Sequence, residues 1–282
     1  MVLTPADLAR PSRWRRYLSV VSALLLQIVV APVMAFAVER WTGLRSELTP
    51  YAVLAVMLAV AFTLRRSWQP NGFRGGLQLW WWRALWPIWM VAAPLLVLSA
   101  LSRSPTEHVR WIVLSLVIGF TEEAFFRGVI LRALLPGGAR SAIAWSAVWF
   151  GAAHLLALAG GYDWRMVLLL VAGAFGAGVV FAWVRLASAS IWPGVIAHAF
   201  FDYGGFVDGG GLRESLKYTT YNVVTSGVVA VLMLAWAWWL LSRMTVGIAG
   251  EETTLATAAE AGRRRPTEAA LGALLPPAPP AR

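Results

Sequence analysis

Cysteine is absent from the 282-residue chain. That excludes a disulfide framework, a thiolate metal site and a cysteine nucleophile together. Charge is scarce as well: Asp, Glu, Lys and Arg make up 13% of the residues, against 59% hydrophobic, where water-soluble domains carry roughly a quarter charged residues. A chain this poor in charge has lipid as the solvent for most of its length. The sequence also lacks His-Glu-x-x-His, so no helical spacing demands a metal, and it has no obvious internal repeat of the kind expected of a carrier built from inverted halves.

What charge there is carries a formal net of +10. The basic residues are nearly all Arg and lie between apolar runs instead of forming one patch, which argues against a nucleic-acid partner. Seventeen tryptophans, including Trp80, Trp81 and Trp82 at the start of one apolar segment and Trp236, Trp238 and Trp239 near the end of another, suit the aromatic belts of a bilayer.

A spanning helix needs about 20 mostly apolar residues. Eight segments are read as candidates: Leu18 to Val38, Pro50 to Leu64, Ala84 to Leu101, Val109 to Leu135, Ser141 to Ala159, Arg165 to Val184, Ser188 to Tyr203 and Thr219 to Leu241. The expected fold is an all-α polytopic membrane helix bundle of about eight transmembrane helices, and seven is the alternative because the second and seventh segments are short. With the N-terminus inside, sixteen basic residues fall on the cytoplasmic side, among them Arg10, Arg13, Arg65, Arg66, Arg132, Arg185 and Arg243, against seven outside, Arg40, Arg45, Arg103, Arg110, Arg165, Arg213 and Lys217. An even count then leaves both termini cytoplasmic, in the plasma (cell inner) membrane. The first segment is too long for a signal-peptide core. Four regions follow: 1–108 with three helices, 109–205 as a core, 206–243 with the last helix and its preceding loop, and 244–282 as a disordered tail whose composition cannot pack.

Ionisable residues within a span are costly and mark function by default. Here they concentrate in three segments: Glu122, Glu123 and Arg127 in the fourth, His154 in the fifth, His198 and Asp202 in the seventh. At a rise of about 1.5 Å per residue the three groups fall within about two helical turns of a common depth, which permits a shared site. Glu123 and Arg127 are spaced i, i+4 and can pair, whereas Glu122 points roughly 140° away from Arg127. Glu122 is therefore the better candidate for activating water, with Arg127 structural. His198 and Asp202 share the same spacing, so Asp202 can orient the imidazole. The residues alone leave three classes open: a peptidase, a proton-coupled transporter, and a non-catalytic scaffold or immunity protein.

Three motifs resemble those of the CPBP intramembrane peptidases, which include type II CAAX prenyl endopeptidases and bacteriocin self-immunity proteins. Glu122-Glu123-Ala124-Phe125-Phe126-Arg127 is similar to E-E-x-x-x-R, Phe150-Gly151-Ala152-Ala153-His154 to F-x-x-x-H, and His198-Ala199-Phe200-Phe201-Asp202 to H-x-x-x-N/D. The resemblance covers roughly Val109 to Tyr203. It implies an intramembrane endopeptidase with a conical cavity open to the cytoplasm and a peptide or lipid-proximal protein substrate in the bilayer. It further implies Glu122 as base, His154 as its partner, His198 and Asp202 as oxyanion stabilisers, and Glu123, Arg127 and Phe150 in support. Asp202 stands where eukaryotic members have Asn, and an ionised carboxylate cannot donate to an oxyanion. Metal use stays open between zinc held by Glu122, His154 and His198 and a glutamate-only reaction without a cofactor, the latter preferred.

Overall fold

The computed structural model describes residues 20–22, 25–43, 46–73, 85–86, 88–90, 92–93, 101 and 103–244. Most of the third apolar segment, part of the first and the C-terminal tail lie outside the described residues, as do Trp80, Trp81 and Trp82. Among the described residues the fold is all-helical, with no strand.

A wide π-turn over Leu26–Val30 leads into α1, Ala31–Thr42, and α2 follows at Thr49–Leu64 with Pro50 in its first turn. The next helix, α3, is Pro105–Glu123. Its start is set by a reciprocal capping box: the Ser104 hydroxyl accepts from the Glu107 amide, and the Glu107 carboxylate accepts from the Ser104 amide at 2.9 Å. Those hydrogen bonds hold the Glu107 carboxyl below its ordinary range. The chain stays helical past Glu123, widening to a π-helix over Ala124–Ile130 before α4, Leu131–Leu134, and a short 3-10 turn. A regular α-helix was the expectation for Val109 to Leu135, and the π segment departs from it.

Helix α5 is Ala139–Ala153 and tightens to a 3-10 helix over His154–Gly160. Asp163 caps α6, Trp164–Ser188, by accepting from the Arg165 amide. Helix α7 is Trp192–Gly209, so the seventh apolar segment is longer than its hydropathy suggests and continues past Tyr203. The short α8, Leu212–Ser215, precedes α9, Thr220–Arg243. Ala139–Gly160, Trp164–Ser188 and Thr220–Arg243 are long and apolar enough to cross a membrane, and Thr49–Leu64 is a shorter apolar helix.

Helix α6 is the centre of the bundle, packed between α5 and α9, while α3 packs along α7. Its most apolar stretch is 56% buried, against 22% for α9, which sorts α6 as internal and α9 as peripheral. Lipid offers no hydrophobic drive for helix association, so close backbone approach through small residues has to supply it. Glycines occupy these crossings. A Cβ on Gly176 of α6 would lie 2.5 Å from the Met233 backbone of α9, and one on Gly119 of α3 would lie 2.9 Å from the Val195 carbonyl of α7. The outer face of α9 instead exposes Val224, Val228, Val231, Leu232 and Trp238, a surface suited to acyl chains and not to water.

Polar contacts collect at the helix ends, on two opposite rims. At one rim Glu47 pairs with Arg110 at 3.3 Å, and Arg103 donates to the Val207 and Asp208 carbonyls. At the other, Arg132 donates to Asn71, and the Ile191 amide donates to the Gly72 carbonyl at 3.0 Å. The antiparallel alternation of the helices produces this separation.

Gly176→Val is expected to separate α6 from α9 and lower the thermal unfolding midpoint in detergent by several degrees, because the obstructing atoms are backbone and cannot rotate away. Gly227→Ala, with open space at that position, leaves the midpoint unchanged.

Candidate active site

The site is built on α3, α5 and α7. In the turn before the paired glutamates, the Thr121 hydroxyl bonds back to the Val117 and Ile118 carbonyls at 2.7 and 2.9 Å. The helix then widens. The Leu131 amide donates to Phe126 O, five residues back, and the buried Ser146 hydroxyl of α5 donates to the same oxygen at 3.1 Å. A π segment disturbs the backbone ladder, and a side chain from a neighbouring helix makes up the hydrogen bonding, as the membrane interior requires. Ala124 through Gly128 are all buried, so this stretch is enclosed on every side.

Arg127 and Glu123 form the innermost pair, with Nη1 3.0 Å from Oε1 and side chains 0% and 1% exposed. Their attraction is more electrostatic than directional, since Nη1 has no aligned hydrogen-bond acceptor. The guanidinium lies over the Phe150 ring at 4.1 Å and near the Phe181 ring at 5.3 Å. These aromatic faces supply cation–π attraction where water is excluded.

The same Glu123 Oε1 accepts from His198 Nδ1 at 3.1 Å. The sequence reading gave Glu123 to Arg127 and left the imidazole to Asp202. The carboxylate serves both partners and is the nearest acceptor to the ring. Room for it comes from Gly194 on α7, where a Cβ would stand 2.7 Å from Glu123 Oε2. The His198 ring stacks on Phe181, with centroids 5.2 Å apart and planes at 19°, and Phe150 meets it edge-on at 5.7 Å. Three contacts thus hold the imidazole, and its Nε2 faces outward, 3.7 Å from Glu122 Oε2 and 3.6 Å from Asp202 Oδ2. These are ion-pair distances, too long for direct hydrogen bonds.

His154 stands where α5 tightens into the 3-10 helix. Its Nδ1 donates to the Phe150 carbonyl at 2.8 Å. A carbonyl only accepts, so the proton sits on Nδ1 and Nε2 keeps its lone pair. The ring packs edge-on against Phe150 at 5.0 Å, which makes Phe150 the common wall of Arg127, His154 and His198. An apolar groove of about 380 Å³ on this part of the helix is lined by Trp149, Ala152, Ala153, Leu155, Leu156 and Ala159 among others, and not by His154.

Exposure divides the carboxylates. Glu122 and Asp202 side chains are 12% and 19% exposed, and Glu122 Oε2 has no hydrogen-bond partner. Glu123 is sealed. The structure therefore brings Glu122, Glu123, Arg127, Phe150, His198 and Asp202 into one cluster, with His154 across Phe150 from it. Ser146, Phe181 and Gly194 join the site and went unread in the sequence. Phe181 lies in an apolar run with nothing to mark it, whereas Gly194 sits one helical turn before His198, a spacing that could have flagged it.

Among the described residues no group of three His, Asp or Glu side chains converges on one point. His198 and His154 each engage Nδ1 with an oxygen acceptor, so Nε2 is the atom that each would offer to a metal.

Residues 103–204 match the family model for type II CAAX prenyl endopeptidase Rce1-like proteins. Over this region the chain is similar to that family. The matched stretch begins just before α3 and ends within α7, so it contains all three motifs and every side chain of the cluster. It places the core, at family level, with the CAAX-type membrane proteases, and its apolar helices make the chain an integral membrane protein. No curated protein and no solved structure matches the chain.

Gly194→Ala is expected to push the Glu123 carboxylate off its position and misplace His198. The protein should still insert, because one methyl is added at one crossing, while its peptidase turnover falls by about tenfold or more. Turnover in proteoliposomes, normalised to folded protein, checks it.

Proposed function

We propose that the chain is an intramembrane endopeptidase that hydrolyses a peptide bond in a membrane-associated substrate, with Glu122 activating the water. The observation that carries this reading is the contrast between the two adjacent glutamates. Glu123 is sealed and its Oε1 contacts both Arg127 and His198, whereas the Glu122 side chain is 12% exposed at the cleft edge and lies 3.7 Å from His198 Nε2, beyond hydrogen-bond reach. A carboxylate at the edge of a low-dielectric site, with no direct hydrogen bond to its neighbouring imidazole, is suited to accept a proton.

In the proposed reaction Glu122 takes one proton from water as the water oxygen bonds to the scissile carbonyl carbon. The carbonyl π pair moves onto its oxygen, and the resulting oxyanion lies near His198 Nε2. On collapse the C–N bond breaks, and the proton held by Glu122 passes to the leaving amine. A doubly protonated His198 satisfies Glu123 at Nδ1 and offers Nε2–H to the oxyanion. Asp202 balances that charge from the other side. His154 presents the Nε2 lone pair toward the substrate side, where it can accept from the attacking water or a backbone N–H.

The proposed setting is a bundle of about eight spans with both termini cytoplasmic. Residues 109–205 form the catalytic core, 1–108 and 206–243 flank it, and 244–282 form a tail. The family match makes a peptide with a prenylated cysteine the first substrate to try.

Glu122→Gln should lower kcat by about 10²- to 10⁴-fold, the usual share of a general base, with unchanged insertion and helix content. Wild-type turnover in this variant would remove Glu122 from the mechanism and favour a scaffold that keeps the residue for structure. Prolonged chelation is expected to leave turnover intact, since the reaction is proposed to run without bound metal. Loss of activity that zinc restores would reverse that assignment.

A further inference from the structure

The cleft is rich in acceptors and short of donors. Glu122 and Asp202 face it as carboxylates, and His198 Nε2 is the donor between them. An oxyanion is held best by preorganised donors aimed at it from more than one direction.

Tyr51 lies in the first turn of α2. Its ring packs against the apolar cluster formed by Trp111, Leu114 and Ile118 of α3 with Phe206 and Val207 of α7. Ile118 precedes Glu122 by one helical turn, and Phe206 follows Asp202 by one turn, so the inner edge of this cluster borders both carboxylates. Tyr51 is half-buried, and its phenol is within electrostatic range of both Glu122 and Asp202. Packed on that cluster, Tyr51 brings a hydroxyl, the one polar atom of its side chain, to the part of the bundle where Glu122 and Asp202 lie.

We propose that Tyr51 is a further catalytic residue whose phenolic O–H donates a hydrogen bond to the scissile carbonyl oxygen as negative charge develops on it. This rests on the endopeptidase reading above and assigns one more group to the same site. A phenol is a donor at neutral pH without carrying charge, so it adds the missing donor without adding to the electrostatic cost of a crowded site. The role is one that Asp202 cannot fill as a carboxylate. It also gives the N-terminal helices a part in the chemistry, because α2 is where the donor stands.

The test compares Tyr51→Phe, Glu122→Gln and wild type in proteoliposomes, on a quenched-fluorescent peptide carrying a farnesylated cysteine. Tyr51→Phe keeps the ring and its packing and removes only the hydroxyl. It should lower kcat by about 10²-fold, the scale of one oxyanion donor, with KM unchanged. Because the chain has no cysteine, a Tyr51→Cys, Asp202→Cys pair joined by a short bismaleimide checks the placement without background. It should cross-link, whereas Tyr51→Cys with Ser242→Cys should not. Full kcat in Tyr51→Phe overturns the Tyr51 role, and if Glu122→Gln is then inactive the endopeptidase reading stands without it. A lowered kcat with no 51–202 cross-link also overturns it, since the effect would then be indirect. An active Glu122→Gln, or a wild-type chain that leaves the peptide intact, removes the endopeptidase reading and the Tyr51 role together.

Discussion

A carboxylate sealed in the middle of a membrane protein is tolerated only if something nearby neutralises it, and Glu123 is neutralised twice. Its Oε1 lies 3.0 Å from the Arg127 guanidinium and 3.1 Å from His198 Nδ1. Removing one partner of such a buried pair typically costs about 3–5 kcal/mol, because the other charge is left uncompensated. Much of the local structure follows from keeping this group in place. Gly194 leaves the space for it, Phe150 and Phe181 wall in the guanidinium, and the imidazole is locked between a carboxylate and a stacked ring. The link joins α3 to α7, the two helices that carry the acidic groups of the cleft.

The rest of the bundle keeps lipid away from this polar centre while remaining soluble in lipid itself. Gly119, Gly151, Gly176 and Gly178 let neighbouring helices touch through backbone atoms, and dispersion at such crossings replaces the hydrophobic drive that water would supply. Within the π-widened glutamate helix, Phe126 O accepts both from the Leu131 amide and from the Ser146 hydroxyl that reaches across from α5. Apolar side chains too numerous for a water-soluble surface cover the outside of α9.

Two adjacent glutamates end with opposite duties because successive helical positions point about 100° apart. One turns into the bundle and becomes an anchor, and the other turns to the cleft edge. The family match over residues 103–204 covers this arrangement and the three motifs. The proposed donor at Tyr51 lies outside it, on α2.

The all-helical membrane character was legible in the sequence, since 13% charge and 59% hydrophobic residues admit little else. The Glu123–Arg127 pair was legible too, because i, i+4 spacing is a local property of any helix. The three motifs marked which helices carry the clustered ionisable groups. Contacts between helices were not readable this way. That Glu123 rather than Asp202 is the nearest acceptor to His198, that Phe181 stacks on that ring and that Gly194 opposes a carboxylate all depend on the rotation and closeness of α3, α6 and α7. Local spacing determines which residues share a face of one helix. Which faces meet is decided by the packing of the whole bundle, where small residues permit approach and buried charges must find partners.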